Sequence, residues 1–194
     1  MKNICGEKFL SMIRFGSEIR KIVKERDVDA IKQHTTEEMV SLSGKEVSNH
    51  LPPLPFAAAA ICLILIIVFV INMAFILHPF NLDPAVFVSF YFFIALIFLI
   101  VMFLASAMIA KGNFVGLQIY GAAYIFITLQ FFFAISLQFI DREDQIVKKM
   151  AVFFFVAIAI VFCRWLMNAP AFTRFVIYRI TMQLSVAARE MRAH

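Results

Sequence analysis

Apolar residues in this chain do not alternate with polar ones. They accumulate in four long runs, Phe56–Leu77, Ala85–Ala110, Phe114–Ile140 and Met150–Met167, with no charged side chain in the middle of any of them. A helix needs roughly 20 residues to cross about 30 Å of bilayer hydrocarbon. Each run is close to that length or longer, so the pattern predicts four transmembrane helices. The connections are short. His78–Pro84 contains Pro79 and Pro84, which stop a helix from running through it. Lys111-Gly112-Asn113 is a tight turn that folds the second and third runs into an antiparallel hairpin, and Asp141–Lys149 leads into the fourth. The expected fold is an all-α integral membrane protein. A four-helix, up-down-up-down bundle occupies residues 55–168, with spans at 56–77, 85–110, 114–140 and 150–167.

The flanking segments, 1–54 and 169–194, follow a different period. Met12, Phe15, Ile19 and Ile22 recur on one helical face, flanked by Phe9, Ile13 and Val23, while Arg14, Glu18, Lys21 and Glu25 fall on the other side. This predicts an amphipathic helix over 6–26. Thr35 and Glu38 have capping-box spacing for a short second helix from Thr36, which Gly44 can stop. Leu51-Pro52-Pro53-Leu54-Pro55 then makes a stiff connector. Fifty residues are too few for a substantial core of their own. The appendage is therefore expected to pack on the membrane, on neighbouring subunits or on a partner. Beyond the fourth run, Asn168 is placed to cap a helix with Pro170 in its first turn. Val176, Ile180, Leu184, Ala187 and Met191 form its apolar stripe, opposite Arg174, Tyr178, Ser185, Arg189 and Arg192. A basic amphipathic helix of this kind lies in a membrane interface, packs on its own protein or docks on another chain.

Charge distribution adds an orientation. Residues 1–54 carry nine Lys and Arg, the first loop none, the Lys111 turn one, the Asp141–Lys149 loop three, and the stretch from Arg164 to the end five. With both termini inside, 15 of the 18 basic residues are cytoplasmic. The expected location is the cell inner membrane, with N- and C-termini cytoplasmic. The first apolar run begins some 55 residues in and is too long for a signal-peptide core, so it would itself direct insertion. Trp165 beside Arg164 fits an interfacial belt, the arginine snorkelling to the headgroups. The net charge of +5 favours an anionic bilayer surface or an acidic partner. No nucleic-acid motif accompanies it, so direct nucleic-acid binding is not expected. Candidate residues for partner or membrane-surface binding are Arg14, Lys21, Lys24, Arg174, Arg179, Arg189 and Arg192.

Candidate chemistry is sparse. Cys5, Cys62 and Cys163 form neither a disulfide framework nor a metal-ligand pair, and the four histidines lie in termini and loops. No metal, cofactor or catalytic residue is expected. Ser89, Ser106 and Ser136 have no histidine in any span to act as base. The acidic cluster Asp141-Arg142-Glu143-Asp144 reads as a solvated helix start. No ionisable group sits mid-span, as an ion-coupled transporter would require. Polar side chains within the runs are Asn72 in the first, Ser89, Tyr91 and Ser106 in the second and a larger set in the third. Gln118, Gly121, Tyr124, Thr128 and Ser136 share an arc of about 120° there, with Gln130 and Gln138 off it. Interhelical hydrogen bonding is the simpler account of these groups; a pore lined by Asn72, Gln118, Thr128 and Gln130 is the alternative. Ser106 and Ala110 make a small-xxx-small pair that permits close helix contact.

An inert apolar core with decorated ends on one side points to a non-enzymatic bacterial inner-membrane subunit. It would form a homo-oligomeric platform in contact with membrane lipids, anchoring or signalling to a cytosolic protein partner. In layout alone, the chain is similar to small inner-membrane proteins of bacterial anti-phage defence systems, toxin–immunity pairs and secretion assemblies. The alternative is a homo-oligomeric ion channel gated by its cytoplasmic helices.

Overall fold

The computed structural model describes residues 5–25, 55–140 and 146–193, with side chains described for all of these except 22–25, 139–140, 146–148 and 183–193. The expected helix from Thr36, most of the proline-rich connector and the acidic cluster at 141–144 lie outside the described residues. What is described is helical, with no strand. Helix α1 spans Glu7–Glu25, α2 Phe56–Leu77, α3 Pro84–Ala110, α4 Val115–Ile140, α5 Ile146–Met167 and α6 Pro170–Ala193. Helices α2 to α5 are each long and apolar enough to cross a membrane.

Local chemistry explains the turns. After α2, a 3-10 turn over His78–Phe80 ends at Asn81 in the left-handed region, φ 44°. The Asp83 side chain then accepts from the Ala85 N–H at 3.3 Å and caps α3, with Pro84 at its first position. At the far end of α3, the Gly112 N–H bonds the Ile109 carbonyl at 2.9 Å and the Asn113 N–H bonds the Met108 carbonyl at 2.8 Å. This is the Schellman pattern, and it places Gly112 at the left-handed position, φ 78°. Asn113 also starts α4, its Oδ1 accepting from the Val115 N–H at 3.1 Å. One tripeptide therefore ends one helix and begins the next.

The four apolar helices do not pack as a square. α2 is the hub, with extensive contacts to α3, α4 and α5 alike. α3 and α4 also pack closely, whereas the consecutive α4 and α5 touch little. Chain order predicts that neighbours in sequence are neighbours in space; here α2 sits between them. Aromatic side chains hold this arrangement. Phe69 of α2 stacks on Phe98 of α3 with ring centroids 3.9 Å apart. Phe153 of α5 meets Phe75 of α2 at 4.7 Å and Phe131 of α4 at 6.1 Å.

The backbones of α3 and α4 come close at one glycine. A Cβ built on Gly116 would lie 2.5 Å from the Ala105 carbonyl oxygen and 2.9 Å from the Ile109 backbone nitrogen. The small residue that brings these helices together is thus Gly116, seated on Ala105 and Ile109. The expected pair behaves differently: Ser106 is half-buried and hydrogen-bonded, and Ala110 is exposed.

Outside this interior the helices present apolar side chains. Val86, Val88, Phe90, Phe92 and Phe93 of α3 are all more than half exposed, as are Phe154, Phe155 and Val161 of α5. Contiguous surface of this kind is foreign to a water-soluble monomer and matches a hydrocarbon solvent. Because the atom a Gly116→Ala methyl would strike is backbone, the helices must separate to admit it. The substitution is expected to cost about 1–3 kcal/mol, read as a lower unfolding midpoint in detergent. Ala122→Leu, at an exposed position of the same helix, should leave that midpoint within about 0.5 kcal/mol of the parent.

Candidate functional site

The first and last helices of the chain meet. Phe9 of α1 stacks on Phe172 of α6 with centroids 6.4 Å apart. A Cβ on Gly16 would fall 3.5 Å from Ile180 Cδ1. Residues 9 and 16 thus pair with 172 and 180, so α1 and α6 run parallel. Against α4 the register is reversed: the Phe9 ring covers Gly121, and Gly16 lies against Phe114. α1 therefore runs antiparallel along the first two turns of α4 while α6 flanks it. Phe9, Met12, Phe15 and Ile19 are buried, as are Phe172, Phe175, Val176, Ile177 and Ile180. The described part of the α1 apolar stripe is buried against its own chain. For these residues this replaces the expected packing on membrane, subunits or a partner; residues 26–54 lie outside the described set. For α6, packing on its own protein was among the expected outcomes, and the first three turns do so.

Asn168 joins these elements. Its Nδ2 donates to the carbonyls of Cys5 and Arg164, both at 2.9 Å, and its Oδ1 accepts from the Phe9 N–H at 3.3 Å. The sequence places Asn168 as the cap of α6. The structure uses it to cap the first turn of α1, 159 residues away in sequence. Tertiary packing decides this, because Gly6 adopts φ 90° and brings the start of α1 directly against the Asn168 side chain. Burial raises the Cys5 thiol pKa above its usual range, with the Arg164 guanidinium opposing the rise.

The basic candidates divide by position. Arg14, Lys21 and Arg174 are exposed on the outer faces of this helix pair. Arg179 is half-buried over the Phe175 ring at 5.6 Å, with its Nε shielded and unpartnered. Lys24, Arg189 and Arg192 lie on described helical backbone, but their side chains are outside the described set. Sequence reasoning missed Lys8, Arg20 and Lys111, which are exposed at the same end; Arg20 stands over the Phe114 ring at 5.5 Å. Their charge was visible in sequence, but not the level to which packing brings them.

The polar candidates of the apolar helices do not line one path. Asn72 is fully buried between α2 and α4, its Nδ2 donating to the Ile127 carbonyl at 3.4 Å and its Oδ1 unpartnered. Gln130 is buried with both side-chain polar atoms unpartnered. Thr128 donates to its own helix at Tyr124 O, 2.8 Å. Gln118 is exposed. Ser136 is also exposed, bonded to its own helix at Phe133 O. The expected arc is thus largely inverted. Gln130 and Gln138, which lie off it, turn inward, and Gln138 Nε2 bonds Phe75 O at 3.3 Å. Of the arc itself only Gly121 and Tyr124 are buried. The inward face of α4 is chosen by Gly116 and the aromatic contacts, which outweigh the placement of its amides. At the end nearer the chain termini, the Tyr120 hydroxyl lies 2.6 Å from Ser106 Oγ and 3.3 Å from the Ala58 carbonyl oxygen, tying α4 to α3 and α2.

Among the described residues no group of three His, Cys, Asp or Glu is placed to hold a metal. No known protein family, curated protein or solved structure matches the chain.

Two outcomes follow from this geometry. Gln130 has no hydrogen bond to lose, so Gln130→Leu is expected to be neutral or to raise stability by about 1 kcal/mol. A marked fall in the detergent unfolding midpoint would show that its amide is partnered after all. Asn168→Ala removes the cap of α1 and should cost about 1–2 kcal/mol. In the parent, Cys5 should react slowly with maleimide near neutral pH, because burial both shields the thiol and leaves less thiolate; its rate should climb only at alkaline pH. Asn168→Ala should accelerate that labelling, and mass spectrometry of the Cys5 peptide reads it.

Proposed function

We propose that this chain is a non-enzymatic subunit of a bacterial inner membrane, inserted through α2 to α5 with both termini in the cytoplasm. Its role is to present the α1–α6 helix pair to a cytosolic partner protein. The observation that carries this reading is the parallel docking of α1 and α6 at one end of the apolar bundle. Both helices continue outward from the level of Gly16 and Ile180. Nine more residues of α1 and thirteen of α6 extend about 14 Å and 20 Å further. Their apolar faces near the bundle are already buried, so a partner meets the polar outer surface. That surface is rich in Lys and Arg, a match for an acidic protein face rather than for an apolar groove.

The interior supports a scaffold better than a conduit. Asn72 and Gln130 are enclosed, Thr128 satisfies its own helix and Gln118 faces outward, so one copy offers no continuous polar route.

Reversing the charges toward the outer ends of the two helices tests the proposal. A Lys21→Glu, Lys24→Glu, Arg189→Glu, Arg192→Glu variant should remain in the membrane fraction with an unchanged unfolding midpoint. It should lose a protein that crosslinks to and co-purifies with the parent from native membranes. A parent that purifies without any such protein, or a variant that retains it, would overturn the reading.

A further inference from the structure

The register between α1 and α4 fixes a depth. Phe9 lies against Gly121, two turns inside the start of α4, whereas Gly16 lies against Phe114 at the turn. The first turn of α1 is therefore about 10 Å below the Lys111–Asn113 turn. Exposed at that lower level is Lys8 of α1, and one turn before Asn168, about 6 Å deeper, is exposed Arg164 of α5. Trp165 is 63% exposed beside it, stacked on Phe162 at 5.6 Å. Exposed charge is costly in hydrocarbon, so the headgroup region extends down to about Gly121, with the Arg164 side chain snorkelling up to it. The part of α4 beyond it, from Ala122 to Ile140, still spans about 28 Å, enough for the hydrocarbon. Exposed Gln118, one turn above Gly121, then lies among headgroups.

This depth separates two tiers of cations. Lys21 and the ends of α1 and α6 lie beyond the turn. Lys8, Arg14, Arg174 and Lys111 lie between the Gly121 level and the turn, and Arg164 starts one turn below them, its long side chain able to reach up to the same level. Glu7 is the exposed acid among them. At the opposite end of the bundle the exposed or half-buried charged groups among the described residues are Asp83 and Lys149.

We propose that the inner tier, centred on Lys8 and Arg164 and continued by Arg174, is a binding surface for the headgroups of anionic phospholipid. The lipid phosphate and its neighbours sit against these cations, Trp165 holds the interfacial boundary beside them, and the acyl chains run down the exposed apolar surface of α5. Each cation close to an anionic surface contributes enough attraction to change binding about fivefold. This rests on the bilayer-spanning reading above, but not on the identity of any protein partner.

The test uses the purified full-length chain in detergent, titrated with phosphatidylglycerol or phosphatidylcholine. Native mass spectrometry counts retained lipid, and the unfolding midpoint gives a second readout. The parent should hold phosphatidylglycerol at least tenfold more tightly than phosphatidylcholine. Lys8→Gln with Arg164→Gln should weaken phosphatidylglycerol binding by about 25-fold and leave phosphatidylcholine unaffected. Arg174→Gln alone should weaken it about fivefold, while Lys149→Gln at the other end should change nothing. Equal binding of the two lipids by the parent overturns the proposal. So does an unaltered preference in the double variant, or displacement of the lipid by millimolar inorganic phosphate, which marks a site for soluble phosphate. A double variant that keeps its lipid preference but loses a co-purifying protein assigns these cations to the partner and overturns it equally. Loss of the lipid preference in the parent with the chain still confined to membranes defeats this inference alone; recovery of the chain from the aqueous fraction defeats both.

Discussion

Where the solvent around a helix bundle is as apolar as its interior, burying one more leucine removes nothing from water. Association then depends on close fit, on aromatic contact and on the few polar groups that find partners. Each device is visible here. Gly116 lets the backbones of α3 and α4 approach until the Ala105 carbonyl occupies the place of a side chain. Phe69 and Phe98 stack across α2 and α3, and Phe153 bridges α2 and α4. Tyr120, Ser106 and the Ala58 carbonyl bind three helices at one point. The central position of α2 follows, since it takes part in most of these contacts.

The terminal helices obey different physics. Along its described length α1 carries charged side chains on one side and buried apolar ones on the other, and in the proposed arrangement it meets water or headgroups. Burying Phe9, Met12, Phe15 and Ile19 does remove area from water, at about 25 cal/mol per Å². That gain docks α1 onto α4 and α6, and Asn168 then satisfies backbone groups at its first turn. The first and last helices are thereby held together at one end of the bundle.

Gln130 runs against this economy. An amide with neither polar atom bonded is costly in an apolar interior. Asn72 carries half of the same burden, with one bond made and one acceptor left over. Stability alone does not account for them. A gain in stability on replacing Gln130 would place it among residues kept for a purpose other than holding the fold.

Four apolar helices, their approximate bounds and the facing side of α1 were legible in the sequence. Run length against bilayer thickness and the 3.6-residue period are local properties that any neighbour leaves intact. Met12, Phe15 and Ile19 needed only their spacing. The helix order in space, the partner of Asn168 and the inward face of α4 were not legible. In α4 almost every side chain is apolar, so no hydrophobic stripe marks an inside, and the amides misled. There a missing methyl at Gly116 and the reach of a few aromatic rings decided, and those act only once two helices are in contact. Likewise the charges of Lys8 and Arg164 stand plainly in the sequence, but their nearness in depth exists only through the registers that Phe9 sets against Gly121 and Asn168 against Phe9.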